Sequence, residues 1–341
     1  MSLIRRSLGL ILICLALPAM ADEPPTWGLT TFDHPFVTDG TFVVGSEMSG
    51  IASIDGAGCV VVSNETRCAQ IGYVTRNPWR LTAGREILLV PPRGTDECDF
   101  EAVAADPKGL NFYVLGSHSV SKNKGKPRFE QQALFRISAD PTTKVPDYKK
   151  PGANKCISLF PWLEQIREIR DSLNKPLQQN GLNFEGLAFR DGKLWIGCRA
   201  PSLQGRTPIL EVPADPLFDQ PAASWPMPKV HMLPLGEGIG VRDMTAVHDG
   251  ILLLVGQSGS EASRDFPKTV NYDGDKAFPL LLWRTDGSNT LERIGNLPVL
   301  KGKAEGLLVL RETALDITIL VLYDGAFNGA PRMFTLTKPR R

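Results

Sequence analysis

The chain has 341 residues, and its 38 Lys and Arg against 37 Asp and Glu give a net charge of +1. Without a basic excess the phosphate-directed attraction behind nucleic-acid binding is missing, so no nucleic-acid partner is expected. After the first twenty residues no apolar run approaches the roughly 18 that span a bilayer. The many Gly and Pro fit a chain of many turns.

The amino terminus runs Met1-Ser-Leu-Ile-Arg-Arg, an apolar stretch from Leu8 to Leu17, then Pro18-Ala-Met-Ala21, the charged, hydrophobic and small-residue order of a secretory signal peptide. Cleavage after Ala21 is expected, leaving residues 22–341 as one domain in the periplasm or outside the cell. Cys14 follows Ile13 rather than a small residue, which argues against lipoprotein attachment, and Arg5-Arg6 leaves both ordinary and twin-arginine export open. Loss of the two arginines with the leader changes the net charge from +1 to −1.

Next comes Leu29 to Val44, strand-like but without a hairpin motif. Five related hairpins then follow. They begin at Glu47-Met-Ser-Gly-Ile-Ala-Ser, Asp99-Phe-Glu-Ala-Val-Ala-Ala, Asn183-Phe-Glu-Gly-Leu-Ala-Phe, Val241-Arg-Asp-Met-Thr-Ala-Val and Lys303-Ala-Glu-Gly-Leu-Leu-Val. Their second arms are Val60–Asn64, Tyr113–His118, Leu194–Arg199, Leu253–Gln257 and Leu320–Asp324, and four of the five turns carry Asp with Gly. Further strand candidates follow each hairpin, at Ile71–Thr75 and Glu86–Val90, Ala133–Ser138, Pro208–Pro213, Leu280–Arg284 with Leu291–Ile294, and Arg332–Thr337.

A period of about 50 to 60 residues with four strands per unit predicts an all-β fold, a β-propeller of four-stranded antiparallel blades. Five blades are expected, or six if the interval Ser138–Asn183 hides a degenerate unit. The last blade lacks an outer strand, which the segment 29–44 would supply, closing the ring and removing its edges. Within the long interval, Trp162 or Leu163, Ile166, Ile169 and Leu173 share one stripe, which predicts an amphipathic helical insertion over about 158–175 on one face of the ring. Residues Lys122–Arg128 and Gly256–Gly274 read as long loops.

Five cysteines follow the leader: Cys59, Cys68, Cys98, Cys156 and Cys198. Cys68 ends the first hairpin and Cys98 opens the next, so both belong at one rim and a Cys68–Cys98 disulfide is expected. Cys59 lies at the far end of its strand, about 17 Å away at ~3.3 Å per residue, beyond bridging distance. Cys198 is expected to pack as a small apolar residue.

Aligning the hairpins places Ser49, Glu101, Glu185, Asp243 and Glu305 at one position of the innermost strand. The second arms end in Asn64-Glu65, Ser117-His118, Cys198-Arg199, Gln257-Ser258 and Asp324, and a hairpin brings its two ends together. A mostly acidic ring at one mouth of the central channel is therefore expected. Glu101 would lie beside His118, and Glu185 beside Arg199. Such carboxylates repel unless neutralised. Two solutions stay open. Arg199 and Arg242 serve as internal counter-ions, or Glu101, Glu185, Asp243, Glu305 and Asp324 bind a hard divalent cation, calcium or magnesium.

In a catalytic reading His118 is a general base held near neutrality by Glu101, with Glu101 and Glu185 taking part, and Arg199, Arg242, Glu65 and Gln257 bind substrate. The rival reading makes His118 a satisfied hydrogen-bonding residue, Arg199 an inter-blade ion pair and each acid a cap on backbone amides. No Gly-x-Ser-x-Gly elbow, phosphate-cradling loop or HExxH helix is present.

At Ser49-Gly-Ile-Ala, Ser63-Asn-Glu-Thr66, Gly116-Ser-His-Ser119, Asn183-Phe-Glu-Gly-Leu-Ala188, Gly197-Cys-Arg-Ala-Pro201 and Gly240-Val-Arg-Asp243 the chain resembles a bacterial family known as domain of unknown function 3616. That resemblance brings no activity and no catalytic residue with it. The Glu-Gly-Leu-Ala hairpins are similar, more weakly, to extracytoplasmic propellers called esterase-like phytases, which implies a propeller and ester or phosphoester hydrolysis. Two readings lead: a metal-assisted hydrolase of a small ester or phosphoester at the channel mouth, and a non-catalytic propeller binding a small molecule or an envelope protein there. A third makes the acidic ring purely structural.

Overall fold

Short β-branched and apolar runs separated by Asp-Gly turns favour hairpins, and in the computed structural model they form the inner halves of five antiparallel sheets. Residues 26–32, 36–42, 45, 47–94, 96–147 and 153–339 are described; the leader read from residues 1–21 lies outside them. Two short strands come first, β1 (Gly28–Thr31) and β2 (Val37–Asp39). Blade one is β3 (Met48–Ser53), β4 (Gly58–Ser63), β5 (Cys68–Arg76) and β6 (Trp79–Leu88). Blade two is β7 (Phe100–Asp106), β8 (Asn111–Gly116), β9 (Ala133–Ser138) and β10 (Asn154–Ser158).

One helical turn, α1 (Phe160–Leu163), precedes blade three, which is β11 (Asn183–Arg190), β12 (Lys193–Ala200), β13 (Thr207–Pro213) and β14 (Lys229–Leu233), with α2 (Ala214–Asp219) between its last two strands. Blade four is β15 (Ile239–Val247), β16 (Gly250–Gln257), β17 (Phe278–Trp283) and β18 (Leu291–Leu297). Blade five is β19 (Lys303–Glu312), β20 (Asp316–Asp324) and β21 (Arg332–Thr337), completed by β1, which pairs antiparallel with β21 from Gly28↔Thr337 to Thr31↔Phe334. β2 adds a parallel fifth strand to the edge of blade one.

The inner strands β3, β7, β11, β15 and β19 touch in sequence, and β19 touches β3, so the ring closes. Five hydrophobic clusters fill the five gaps between consecutive blades. Between blades five and one, for example, Ile51, Cys59 and Val61 pack against Leu308, Leu320 and Leu322. Each fully buried aliphatic side chain contributes about 1.5–3 kcal/mol, so a blade is stable only between its neighbours. The Gly of Glu-Gly-Leu-Ala in blade three follows from this packing. A Cβ on Gly186 would lie 2.6 Å from Val241 and 2.9 Å from Met244 of blade four, too close for any side chain.

The predicted amphipathic helix is instead a broken coil. α1 is followed by two separate 3-10 turns, Arg170–Ser172 and Leu177–Gln179. The stripe itself is buried as expected: Trp162, Leu163, Ile166, Ile169 and Leu173 all join the core between blades two and three. Ile169 takes φ −124° immediately before the turn Arg170–Ser172, and Leu182 N–H donates to Ser172 O at 2.8 Å, folding the segment back into β11.

The expected Cys68–Cys98 disulfide is absent, and both are free thiols. Their segments are adjacent, since Cys98 N–H donates to Thr66 O at 3.2 Å. Cys98, however, is turned fully into the core between blades one and two, where its side chain hydrogen-bonds with Arg67 and burial pushes its thiol up to about 11. Cys198 packs as a small apolar core residue.

Candidate functional site

Each inner strand carries a β-bulge at one equivalent place: between Met48 and Gly50, Phe100 and Ala102, Phe184 and Gly186, Val241 and Asp243, and Ala304 and Gly306. A bulge re-aims the extra residue. The structurally equivalent residues are therefore Ser49, Glu101, Glu185, Arg242 and Glu305. Aligned by the carboxylate, blade four supplied Asp243; aligned by its bulge, it places an arginine in the ring. That one-residue difference decides the electrostatics.

Arg242 is 1 % exposed and stands between the acids of the neighbouring blades. Its Nη1 lies 3.1 Å from Glu185 Oε2, and its Nη2 is paired with Glu305 Oε1. Arg199 Nη1 bonds the other oxygen, Glu185 Oε1, at 2.7 Å, and its Nη2 donates to Gly259 O. Burial works against the Arg242 charge, but Glu185 and Glu305 outweigh it and hold the guanidinium more firmly protonated. Two guanidiniums thus neutralise two carboxylates. Gly240 admits blade three's backbone beside this pair, because a Cβ there would lie 1.8 Å from Arg199 O.

Glu101 has no such partner among the described residues. It is 7 % exposed, and burial first, then Asp99, Glu185 and Glu305, raise it well above the usual carboxylate range. Burial likewise pushes Glu305 up to about 7, with Arg242 opposing. Asp324 is pushed up to about 9 by burial and by the carboxylates of Glu305 and Glu47, the latter hydrogen-bonded to it.

Asp243 sits just outside the ring, where its Oδ1 accepts Met244 N–H at 2.7 Å and its Oδ2 accepts Leu307 N–H of blade five at 2.6 Å. Ser49 ties blade one to blade two by donating to Phe100 O.

Several sequence assignments change. Glu101, Glu185, Asp243, Glu305 and Asp324 do not form a metal-binding group; among the described residues no three His, Cys, Asp or Glu do. Arg242 occupies the place a cation would take, and the two oxygens of Asp243 are engaged by amides. The residues therefore do not fit calcium or magnesium. His118 is fully buried with Nδ1 2.8 Å from Gly116 O and its ring edge-to-face with Phe184, and its Nε2 has no hydrogen-bond partner among the described residues, Glu101 included. Burial pulls it down to about 4, so it is a neutral packing residue and not a base poised near pH 7.

Arg242 is sealed below the mouth and cannot clamp a substrate. Gln257 is engaged by Asp273, whose N–H donates to Gln257 Oε1 at 2.9 Å. Glu65 is exposed, away from the cavity walls. The Glu185–Arg199 pair is the expected neighbour pair the structure forms.

Above the ring lies a cavity of about 490 Å³. Asp99, Asn183 and Lys303, each two residues before a bulge, and Arg199 line its base, while the loops supply Ser119, Lys122, Lys124, Arg128, Ser260 and Glu261. This upper tier was missed, although period-two alternation puts residues i and i−2 of a strand on one face. Gln178, from the insertion, fastens the roof: its Nε2 donates to Lys122 O at 3.3 Å and to Glu261 O at 3.2 Å. Arg128 is occupied by Glu97 and Glu130, at 3.2 and 2.8 Å. Lys122 and Lys124 form no ion pair among the described residues.

Among solved structures the chain is similar to the PQQ-bound aldose sugar dehydrogenase of Streptomyces coelicolor, at 12% identity over 92% of this chain and 99% of that one, TM-score 0.39. It is similar also to the WD40 repeats of RRP9, at 9% identity over 92% and 99%, TM-score 0.37. A luciferin-regenerating enzyme gives 11% over 85% and 78%, TM-score 0.38. No curated protein matches. Residues 151–332, more than half of the chain, match the family described as Protein of unknown function (DUF3616), and the chain belongs to that family.

Proposed function

We propose that the protein is an exported binding propeller whose mouth cavity takes a small, polar, anionic molecule. One observation supports this above the others: the roughly 490 Å³ cavity presents Lys122, Lys124 and Arg199 on its walls, and the two lysines have no carboxylate partner among the described residues. Unpaired ammonium groups around a concave polar site favour an anion by charge and by hydrogen bonding. The acid ring below is offset by Arg199 and Arg242, which pair with Glu185 and Glu305, while burial disfavours the charged form of Glu101. The leader sequence supports a periplasmic or secreted location, where such ligands arrive by diffusion.

Binding stabilises the folded state by mass action. Succinate, citrate and inorganic phosphate, each titrated into the mature protein, are expected to raise its melting midpoint, with at least one giving a calorimetric isotherm that Lys122→Ala with Lys124→Ala weakens about tenfold. Silence from all three anions at millimolar concentration overturns the assignment.

A further inference from the structure

Resting on that binding site, we infer that the mouth cavity hydrolyses a small carboxylate-bearing ester, with Asp99 as the group that moves the proton. Asp99 lies on the cavity wall at the start of blade two's inner strand. Its backbone is left-handed, φ 50°, and the facing turn residue His118 is too, at φ 57°. Such conformations cost non-glycine residues on the order of 1 kcal/mol and persist where the surroundings over-determine them, as at working sites.

Here the surroundings are explicit. Ser117 N–H donates to Asp99 O at 2.9 Å, and Ser119 Oγ stands 3.5 Å from Asp99 Oδ2 and 3.0 Å from Ser117 Oγ. Unlike Glu185, the Asp99 carboxylate pairs with no cation within salt-bridge distance among the described residues. Burial, partly offset by the Ser117 hydroxyl, pushes it up to about 6. It is thus ionised at neutral pH and basic enough to accept a proton.

The step balances with water alone. Asp99 takes a proton from a water molecule as that oxygen bonds to the acyl carbon. The carbon–oxygen bond to the alcohol then breaks, and the proton passes from Asp99 to the departing alkoxide, yielding acid and alcohol. The positive charge of Arg199 on the wall favours the oxyanion, and Lys122 with Lys124 hold the substrate's own carboxylate.

The test uses the mature full chain with a chelator present and 4-nitrophenyl hemisuccinate, 4-nitrophenyl acetate and 4-nitrophenyl phosphate as probes. Turnover of the hemisuccinate is expected, at least tenfold faster in kcat/KM than the acetate, rising with pH through about 6 and then level. Asp99→Asn, which tolerates the left-handed backbone, is expected to lower kcat on the order of a hundredfold or more with KM little changed. Hydrolysis that persists in Asp99→Asn, a rate that falls through pH 6, or preference for the phosphate overturns the inference. So does a protein that binds succinate but hydrolyses nothing, an outcome that leaves the binding site standing.

Discussion

Glu101 and Glu185 occupy the same bulge position on adjacent blades, both almost wholly buried, yet their surroundings are opposite. Glu185 receives two guanidiniums, from Arg199 on its own hairpin and Arg242 on the next blade. Glu101 receives none within salt-bridge distance among the described residues, and burial raises its carboxyl well above the usual range instead. Position in a repeat therefore sets where a side chain points, and the neighbouring blade sets what charge it carries. Buried acids follow this rule generally, because desolvation penalises the anion unless a cation is within a few ångströms.

The contrast is broken most severely by Arg242→Met. It leaves Glu305 without its guanidinium and Glu185 with one of two, and losing one partner of a buried pair costs about 3–5 kcal/mol. Urea unfolding measures it, and a loss under 1 kcal/mol shows that the ring does not depend on its internal counter-ion. Next is Asp243→Ala, which strips the acceptor from the buried Leu307 amide. A cost of about 1–3 kcal/mol is expected, detected in the same titration.

Proton linkage sharpens the comparison. Glu305 at about 7 and Asp324 at about 9 bind protons more tightly folded than unfolded. Their contribution is complete below the unfolded value near pH 4 and is lost as pH rises through the folded values. His118 acts on the other side: held at about 4, it contributes above its unfolded pKa of 6.5 and that contribution is lost as pH falls through the folded value. The melting midpoint should thus fall from pH 6 to pH 9, and Asp324→Asn should flatten the alkaline decline. An unchanged slope in that variant removes Asp324 from the account.

Glu101→Gln is the smallest perturbation of the ring. Replacing an acid that has no cation partner by its amide breaks no ion pair, so at pH 7 the change should stay within about 0.5 kcal/mol, and a loss as large as that of Arg242→Met would mean Glu101 is paired after all. Smallest of all, reductant should leave the midpoint where it was, since Cys68 and Cys98 are free thiols.

Hairpin spacing, Asp-Gly turns and the recurring Glu-Gly-Leu-Ala pattern were enough to read five four-stranded blades, the closing strand from the amino terminus and the convergence of inner-strand residues on one mouth, because strand periodicity and turn chemistry are local properties. The Arg199–Glu185 pair was legible for the same reason, as both residues belong to one hairpin. The exchange of Arg242 for Asp243 in the ring was not, since a bulge is a register shift visible only when a strand is paired. Nor were the exposed lysines of the mouth loops, the burial of His118, or the separation of Cys98 from Cys68. Each depends on which side chains from distant blades reach the same few ångströms, and that is settled by packing between blades, where desolvation and neighbouring charge select the final state of every ionisable group.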